Sequence, residues 1–158
     1  MKTIFDLMAR HPFLEGLDAP SMRFIAGCGR NVVFKAGMLI FKEGGAADSF
    51  YLLRGGTVLL ETHVPGRGAV AIQSLAAGDM LGSNWLIPPY RWSFDARAQD
   101  EVRAITFNAQ CLRDKLEDNP AVGYQLMKRF VPALIRRMEA ARLQALDLYG
   151  RPDAKSAP

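Results

Sequence analysis

Residues 50–58 read Phe-Tyr-Leu-Leu-Arg-Gly-Gly-Thr-Val, an apolar segment, a Gly-Gly pair and the beginning of a second apolar segment. This is the pattern of two strands separated by a turn, because glycine accepts backbone conformations that other residues avoid. Similar short segments recur about every ten residues on both sides. They cover 31–34, 39–41, 49–53, 57–62, 69–75, 96–99 and 102–107, with glycine-containing turns between most of them. The spacing predicts an antiparallel barrel or sandwich and excludes alternating strands and helices.

Helical patterns flank this β region. Thr3 and Asp18 are placed to cap two short helices before it, and Asn119-Pro120 opens a long helical segment after it. Pro132 interrupts that segment, so we expect a kink or two helices meeting near 129–131. The chain is therefore predicted to be one mainly β domain with helices at both ends. Its expected parts are a helical cap at 1–30, a β roll at 31–108, C-terminal helices at 109–150 and a flexible tail at 151–158.

Composition excludes several classes of protein. Of the 158 residues, 49% are hydrophobic and 23% are charged, and no apolar run approaches the roughly 18 residues of a membrane span. We therefore expect a cytoplasmic protein with no membrane partner. Cys28 and Cys111 lie 83 positions apart without C-x-x-C spacing, which predicts two reduced core thiols and neither a disulfide nor a zinc site.

The positive charge is confined to the end of the chain. Residues 1–120 contain 13 Lys or Arg and 13 Asp or Glu, whereas residues 121–158 contain seven basic and three acidic residues, which accounts for the net charge of +4. A neutral body argues against the broad basic face with which proteins grip duplex DNA. Arg129, Arg136, Arg137 and Arg142 are expected on solvated flanks of the last helix.

Catalytic and metal chemistry find no support in the sequence. His11 precedes a proline and His63 is near a strand end, and neither accompanies a nucleophile motif or a set of metal ligands. Both are expected at the surface. The sequence therefore predicts no enzyme, no catalytic residue and no metal site.

The segment 78–98 does not look like a simple turn. Ser83 is placed to cap a single helical turn over 84–87, whose free backbone N–H groups would attract an anion. Arg91 or Arg97 opposite that turn would complete a seat for a phosphate. The alternative is a connection that is merely packed by its aromatic residues.

The order of these features resembles the cyclic nucleotide-binding domain. This is the effector module of the catabolite activator/fumarate-nitrate regulator family, of protein kinase A regulatory subunits and of gated channels. The resemblance covers roughly residues 10–150. It is carried by 34–37 (Phe-Lys-Ala-Gly), Ile40, Glu43-Gly44, Ala47, 50–53, 55–58 and 78–82 (Gly-Asp-Met-Leu-Gly). It implies a β jelly roll, a phosphate-binding cassette with a short helix, and a C-terminal helix that moves on ligand binding and often forms a dimer interface.

The cassette departs from the family pattern at both ligand anchors. An ungapped comparison places Ser83 where the family has a Glu that binds the ribose, and Trp92 where it has an Arg that pairs with the phosphate. Arg91 comes one residue early, whereas Ser93 matches the small residue that follows. The loss of each charged anchor is expected to reduce the affinity for a cyclic nucleotide by roughly ten- to over a hundredfold. The resemblance still implies a small anionic effector, with cAMP or cGMP as possible ligands and no other cofactor. The candidate binding residues are Gly82, Ser83, Asn84, Trp85, Arg91, Trp92, Ser93 and Arg97.

The aromatic residues of the cassette allow two interpretations. Trp85, Tyr90, Trp92 and Phe94 could stack on a flat ligand, or they could fill the empty cassette. Filling is favoured, because aromatic residues in small β domains usually belong to the core.

The last helix contains an apolar seam with steps of three and four residues. Such a seam packs along another helix, so it predicts a homodimer; the alternative is that the helix folds back on its own barrel. The seam consists of Val131, Leu134, Met138, Ala141, Ala145 and Leu148.

Two functions are compatible with this sequence. The first is a stand-alone sensor that binds an anionic effector at 78–98 and signals through its C-terminal helices. The second is a degenerate, non-binding module that acts as a dimeric scaffold. The family's transcription factors add a helix-turn-helix of about 70 residues after the long helix, where this sequence has only 151–158, so we expect no direct DNA binding.

Overall fold

The computed structural model describes the backbone of residues 2–150 and the side chains of residues 2–147. It opens with α1 (Ile4–Ala9), a 3₁₀ helix (Pro12–Leu14) and α2 (Ala19–Ala26). The Thr3 and Asp18 side chains accept hydrogen bonds from the first turns of α1 and α2, as predicted. The predicted tail at 151–158 lies outside the described residues.

Eight strands form two four-stranded antiparallel sheets, with orders β1-β8-β3-β6 and β2-β7-β4-β5. This confirms the predicted jelly roll with helices at both ends. The strands are β1 (Gly29–Phe34), β2 (Leu39–Phe41), β3 (Ser49–Gly55), β4 (Thr57–Val64), β5 (Gly68–Ala76), β6 (Met80–Leu81), β7 (Asp95–Ala98) and β8 (Val102–Asn108).

The Gly55-Gly56 pair carries the chain from one sheet to the other. Gly56 has a φ of +83°, and a Cβ at this position would lie 2.2 Å from the carbonyl oxygen of Glu101. Only glycine fits there. The Asp100 carboxylate accepts the N–H of Thr57 at 2.7 Å, which fixes the start of β4.

Two helices close the fold. α3 (Ala109–Asp118) is capped by Asn108, and α4 (Pro120–Gly150) is a single continuous helix that contains Pro132. The junction of two helices expected near 129–131 is therefore absent. Buried side chains hold the first half of α4 against the barrel, Phe130 at 3% exposure among them. No helix within residues 2–150 is long and apolar enough to cross a bilayer.

Cys28 and Cys111 form a disulfide, so the prediction of reduced thiols was wrong. Asn108 explains their proximity. Its N–H donates to the carbonyl of Cys28 at 2.9 Å, while its side chain caps α3 by accepting the N–H of Cys111 at 2.9 Å. Asn108 thus brings the two cysteines together. Their separation of 83 residues along the chain does not predict this contact.

His11 is buried, which contradicts its predicted surface position, whereas His63 is exposed as expected. The Nε2 atom of His11 lies 2.7 Å from the carbonyl oxygen of Leu53, and its Nδ1 accepts the N–H of Phe13 at 3.2 Å. Nε2 therefore carries the proton and donates. Burial lowers the pKa of His11, so this neutral ring joins the 3₁₀ helix to β3.

Candidate functional site

The connection between β6 and β7 contains bends in place of the predicted helical turn over 84–87. Gly82 begins it with a φ of +105°, and the N–H of Tyr90 closes a turn on the carbonyl of Ile87 at 3.1 Å. Burial of Trp85 dictates the path of this segment, because its side chain is fully enclosed. The row of free N–H groups expected from a helix start is therefore not formed.

Trp92 occupies the interior of the cassette. Its ring stacks on that of Phe41 with centroids 3.8 Å apart and planes 8° from parallel. A Cβ at Gly82 would lie 3.1 Å from the same ring. The backbone of Trp92 is held at 2.9 Å by both Gly44 and Gly45. The indole is thus fixed where the family pattern has a phosphate-binding arginine.

The space left in the cassette is small. A gap of about 10 Å³ remains, lined by Phe41, Leu60, Leu81, Gly82, Ser83, Asn84, Trp92, Phe94 and Arg137. This is close to the lower limit for a single water molecule. The cassette is therefore closed in this conformation, and a nucleotide would enter only after the Trp92 ring had moved.

Trp85 points into the hydrophobic core and away from this gap. Its ring centroid lies 5.3 Å from that of Phe50 and 6.0 Å from that of Phe130, which belongs to α4. Its carbonyl accepts a hydrogen bond from Arg113, and its Nε1 has no partner among the described residues. Trp85 thus links the cassette to α3 through the Arg113 hydrogen bond and to α4 by packing on Phe130.

Neither cassette arginine faces the gap. Arg91 is exposed, and its Nη1 lies 3.4 Å from the carbonyl oxygen of Gly44. Arg97 pairs with buried Glu61 through a 3.1 Å contact from Nε to Oε1, and its Nη1 donates to the carbonyl of Gly37 at 3.0 Å. Arg97 is therefore engaged in joining β4, β7 and the turn before β2.

The structure brings together only part of the predicted set. Gly82, Ser83, Asn84 and Trp92 surround the gap. Ser93 is connected to them because its Oγ accepts a hydrogen bond from Asn84 Nδ2 at 3.0 Å. The other three predicted residues, Trp85, Arg91 and Arg97, have partners elsewhere.

Arg137 was missed as a site residue by the sequence analysis. It lies on α4, yet its side chain lines the cassette gap beside Trp92, so its expected position on a solvated flank was wrong. Its carbonyl accepts a hydrogen bond from Gln73 Nε2 of β5 at 3.0 Å, which ties α4 to the sheet. Burial lowers the pKa of Arg137, opposed by the nearby Asp79 and reinforced by Arg136. The sequence did contain a signal for this position. Arg137 follows Phe130 by seven residues, or two helical turns, so the two side chains lie on the same face of α4.

Two larger cavities adjoin Arg137 between α4 and the sheet β2-β7-β4-β5. One has a volume of about 670 Å³ and includes Asp79 and Arg136 at its edge. The other has a volume of about 510 Å³ and is lined by Leu134 and Met138. Both lie within the range of small-molecule sites.

Arg129 also departs from the expected solvated position. Its Nη1 donates to the carbonyl of Gln125 at 2.8 Å and its Nη2 to that of Glu15 at 2.9 Å. Arg136 and Arg142 are exposed, as expected. Arg129 thereby joins α4 to the N-terminal helical region.

Some residues of the predicted seam of α4 are exposed to solvent, and others face the barrel. Val131 and Met138 are 48% and 64% exposed, whereas Leu134 packs against the core. Ala141 and Ala145 are exposed residues that line the 510 Å³ cavity. The Leu148 side chain lies outside the described residues. Within residues 2–147, no three His, Cys, Asp or Glu side chains cluster as a metal site requires.

Comparison with known proteins agrees with this architecture. The family model of the cyclic nucleotide-binding domain matches residues 31–119, more than half of the chain. A putative cyclic nucleotide-binding protein from Geobacter metallireducens GS-15 is 31% identical, with a TM-score of 0.75, covering 87% of this chain and 99% of that one.

Two curated relatives are more distant in sequence. The CRP-like cAMP-activated global transcriptional regulator of Mycobacterium tuberculosis is 24% identical over 90% of this chain, and the alignment spans 62% of that protein. The cAMP-dependent protein kinase regulatory subunit of Schizosaccharomyces pombe is 26% identical over 96% of this chain and 33% of that protein. The chain thus spans less than two thirds of either relative. The match over residues 31–119, together with the jelly roll and its cassette, shows that this chain belongs to the cyclic nucleotide-binding domain family.

Proposed function

We propose that this chain is a ligand-sensing regulatory module that binds a small anionic effector, a cyclic nucleotide or a related molecule, and transmits binding through α4. The observation that supports this proposal is the position of Arg137. It belongs to α4 and lines the cassette gap beside Trp92. A ligand that entered the cassette would therefore contact the helix that carries the signal.

The relatives suggest the first ligands to test. One is named as cAMP-activated and the other as cAMP-dependent, which makes cAMP the first candidate and cGMP the matched alternative. Both carry a single negative charge on a phosphodiester, for which a guanidinium is a suitable partner.

Binding inside the cassette itself requires a change in its conformation. Trp92 occupies the interior and leaves only about 10 Å³, so a conformation with the ring displaced must be populated before a nucleotide fits between the cassette residues. The observed affinity falls in proportion to that population. The Arg137 side chain lines the same gap as Trp92, so displacement of the ring would reach α4 through this residue.

Calorimetric titration with cAMP and cGMP tests this function. We expect weak binding, because replacing each charged anchor reduces the affinity by roughly ten- to over a hundredfold. We also expect a rise in the thermal midpoint at saturating ligand, since a ligand that binds only the folded state stabilises it. If neither heat nor a thermal shift is detected at millimolar cAMP or cGMP, these nucleotides are not the effectors.

A second candidate function is a scaffold that binds no ligand. The observation that favours it is the stacked Trp92–Phe41 pair, which fills the cassette from within. In that case the oligomeric state would be the same with and without nucleotide. A change in the hydrogen exchange of α4 on addition of nucleotide would argue against this non-binding function.

We further propose that the outward face of α4 pairs with a second copy of the chain. Four large apolar side chains are exposed along this face, and their spacing forms a continuous stripe. They are Tyr124, Val131, Ile135 and Met138. Steps of seven, four and three residues keep them on one side of a helix. This stripe includes two members of the predicted seam, Val131 and Met138, and its last member, Met138, also borders the cavity of about 510 Å³ between α4 and the sheet.

Replacing Val131 and Met138 together with glutamate is expected to yield monomers, because two charges would be buried in the apolar contact. Multi-angle light scattering measures the outcome. Leu143→Glu is the matched control: Leu143 is 67% exposed and lies about 140° around the helix from Met138. A wild-type protein that is already monomeric at high concentration, or a V131E/M138E variant that remains dimeric, would refute this interface.

A further inference from the structure

We propose that Arg137 recognises the anionic group of the ligand, and that the ligand lies in a groove between α4 and the sheet β2-β7-β4-β5. This inference rests on the proposed ligand-sensing function and specifies its site. In the family pattern an arginine of the cassette binds the negative charge of the ligand. Here that role would belong to an arginine of the last helix. The groove, called here the α4 groove, is defined by Leu60, Ile72, Phe94, Leu134, Arg137 and Met138.

The walls of the α4 groove are mostly apolar. Leu60 and Ile72 of the sheet and Phe94, which immediately precedes β7, form one side, while Leu134 and Met138 form the helix side. The uncharged polar side chains that line it are Gln73, Ser83 and Gln144. The volume of about 510 Å³ is large enough for a small molecule with a flat or branched body. Such walls favour a ligand that removes apolar surface from water.

Arg137 is the charged residue in this apolar setting. Its guanidinium has no hydrogen-bond or ion-pair partner among the described residues. Arg97 and Arg129, in contrast, each donate to defined oxygen atoms. Arg137 is half-buried, so its charge has lost part of its contact with water and no protein group has replaced that water. An anionic ligand would supply the missing partner.

The surroundings determine the charge of the ligand. Asp79 and Arg136 are the charged groups that influence Arg137, and Asp79 makes no direct contact with it within ion-pair distance. Gln73 hydrogen-bonds to the Arg137 backbone, so the guanidinium remains uncompensated at close range. One positive charge matches a monoanion. The expected class is therefore a small monoanion with an apolar or flat body, which includes cyclic phosphodiesters.

This arrangement would make recognition and signalling one event. The anion contacts a side chain of α4, and the body of the ligand contacts both α4 and β4–β5. Occupancy of the groove would therefore alter how α4 rests on the sheet, and the Gln73–Arg137 hydrogen bond is the contact most directly involved.

A pair of fluorescent probes separates charge recognition from apolar binding. 8-Anilinonaphthalene-1-sulfonate is a monoanion, and N-phenyl-1-naphthylamine has the same ring system without the sulfonate. We expect Arg137→Gln to weaken binding of the anionic probe by ten- to a hundredfold, as loss of a charged hydrogen bond does. Binding of the neutral probe should change less than twofold. Arg137→Lys should retain most of the anion affinity because it keeps the charge.

Arg136→Gln and Arg91→Gln are the matched controls. Arg136 is the exposed neighbour on α4 that does not line the groove, and Arg91 is the exposed cassette arginine. Both variants should bind the two probes as the wild type does. Ala141→Trp provides a second test, since Ala141 lines the groove and an indole there should exclude both probes. Thermal melting confirms that each variant is folded.

The outcomes distinguish this inference from the proposed function. If cAMP or the anionic probe binds and the affinity depends on Arg91 but not on Arg137, the sensor function stands and the Arg137 site is wrong. If the anionic probe depends on Arg137 while cAMP and cGMP do not bind, the site stands and the effector is another monoanion. If folded wild-type protein binds none of these molecules, the site and the proposed function are both overturned.

Discussion

Replacing Trp92 with alanine is expected to open the cassette and to destabilise the domain by about 3 to 5 kcal/mol, the usual range for removal of a buried tryptophan. The ring is 4% exposed and stacks on Phe41 at 3.8 Å, so its loss removes apolar contacts and leaves a cavity. Chemical denaturation measures the loss of stability. A flat molecule should then bind in the space that the ring leaves. Titration with indole, with the thermal midpoint as the readout, measures this binding.

Trp92→Phe is the control for this prediction. A phenyl ring preserves the stack on Phe41 and should retain most of the stability while leaving little room for indole. We also expect the alanine variant to bind cAMP at least as tightly as the wild type, because the self-filling ring no longer competes. An alanine variant that is destabilised but binds neither indole nor cAMP would show that the cassette collapses when the ring is removed. That result would contradict the prediction that Trp92 fills a pocket able to hold a ligand.

Reducing the Cys28–Cys111 bond is expected to lower the free energy of unfolding by about 2 to 5 kcal/mol. The bond closes a loop with a sequence separation of 83, for which the chain-entropy argument gives an upper value of about 4 to 5 kcal/mol. Denaturation with and without a phosphine reductant measures the difference. The chain has only these two cysteines, so the effect of the reductant reports this bond alone.

A Cys28→Ala, Cys111→Ala double variant serves as the control. It should resemble the reduced wild type and should not respond to the reductant. Mass spectrometry of the alkylated protein establishes which form is present. An unchanged denaturation midpoint in protein shown to be fully reduced would contradict the prediction, as would a purified protein whose thiols are free under oxidising conditions.

The fold could be predicted from the sequence because it depends on local signals that repeat. Turn glycines such as Gly56, short apolar segments and the caps Thr3 and Asp18 each act over a few residues, and all of them appear in the structure. Their agreement along the chain indicates one architecture. Two local predictions failed. The junction of two helices near 129–131 is absent because α4 continues through Pro132, and bends around the buried Trp85 replace the helical turn over 84–87.

The candidate site was less predictable because its residues meet only in three dimensions. The sequence predicts that aromatic residues, Trp92 among them, fill the cassette, but the stack of Trp92 on Phe41 depends on the approach of β2 to the cassette. Arg137 lies 45 residues after Trp92 in the sequence, and only the course of α4 over the sheet brings it to the gap. Cys28 and Cys111 likewise meet through Asn108, which both caps α3 and holds Cys28.

The sequence by itself determined the jelly roll and its terminal helices, because periodicity and turn chemistry are properties of neighbouring positions. Tertiary structure decided the rest: which indole fills the cassette, which arginine remains without a partner, and which cysteines join. Side chains from distant segments compete there for the same small volume and the same hydrogen-bond partners, and that competition is settled only when the whole chain is packed.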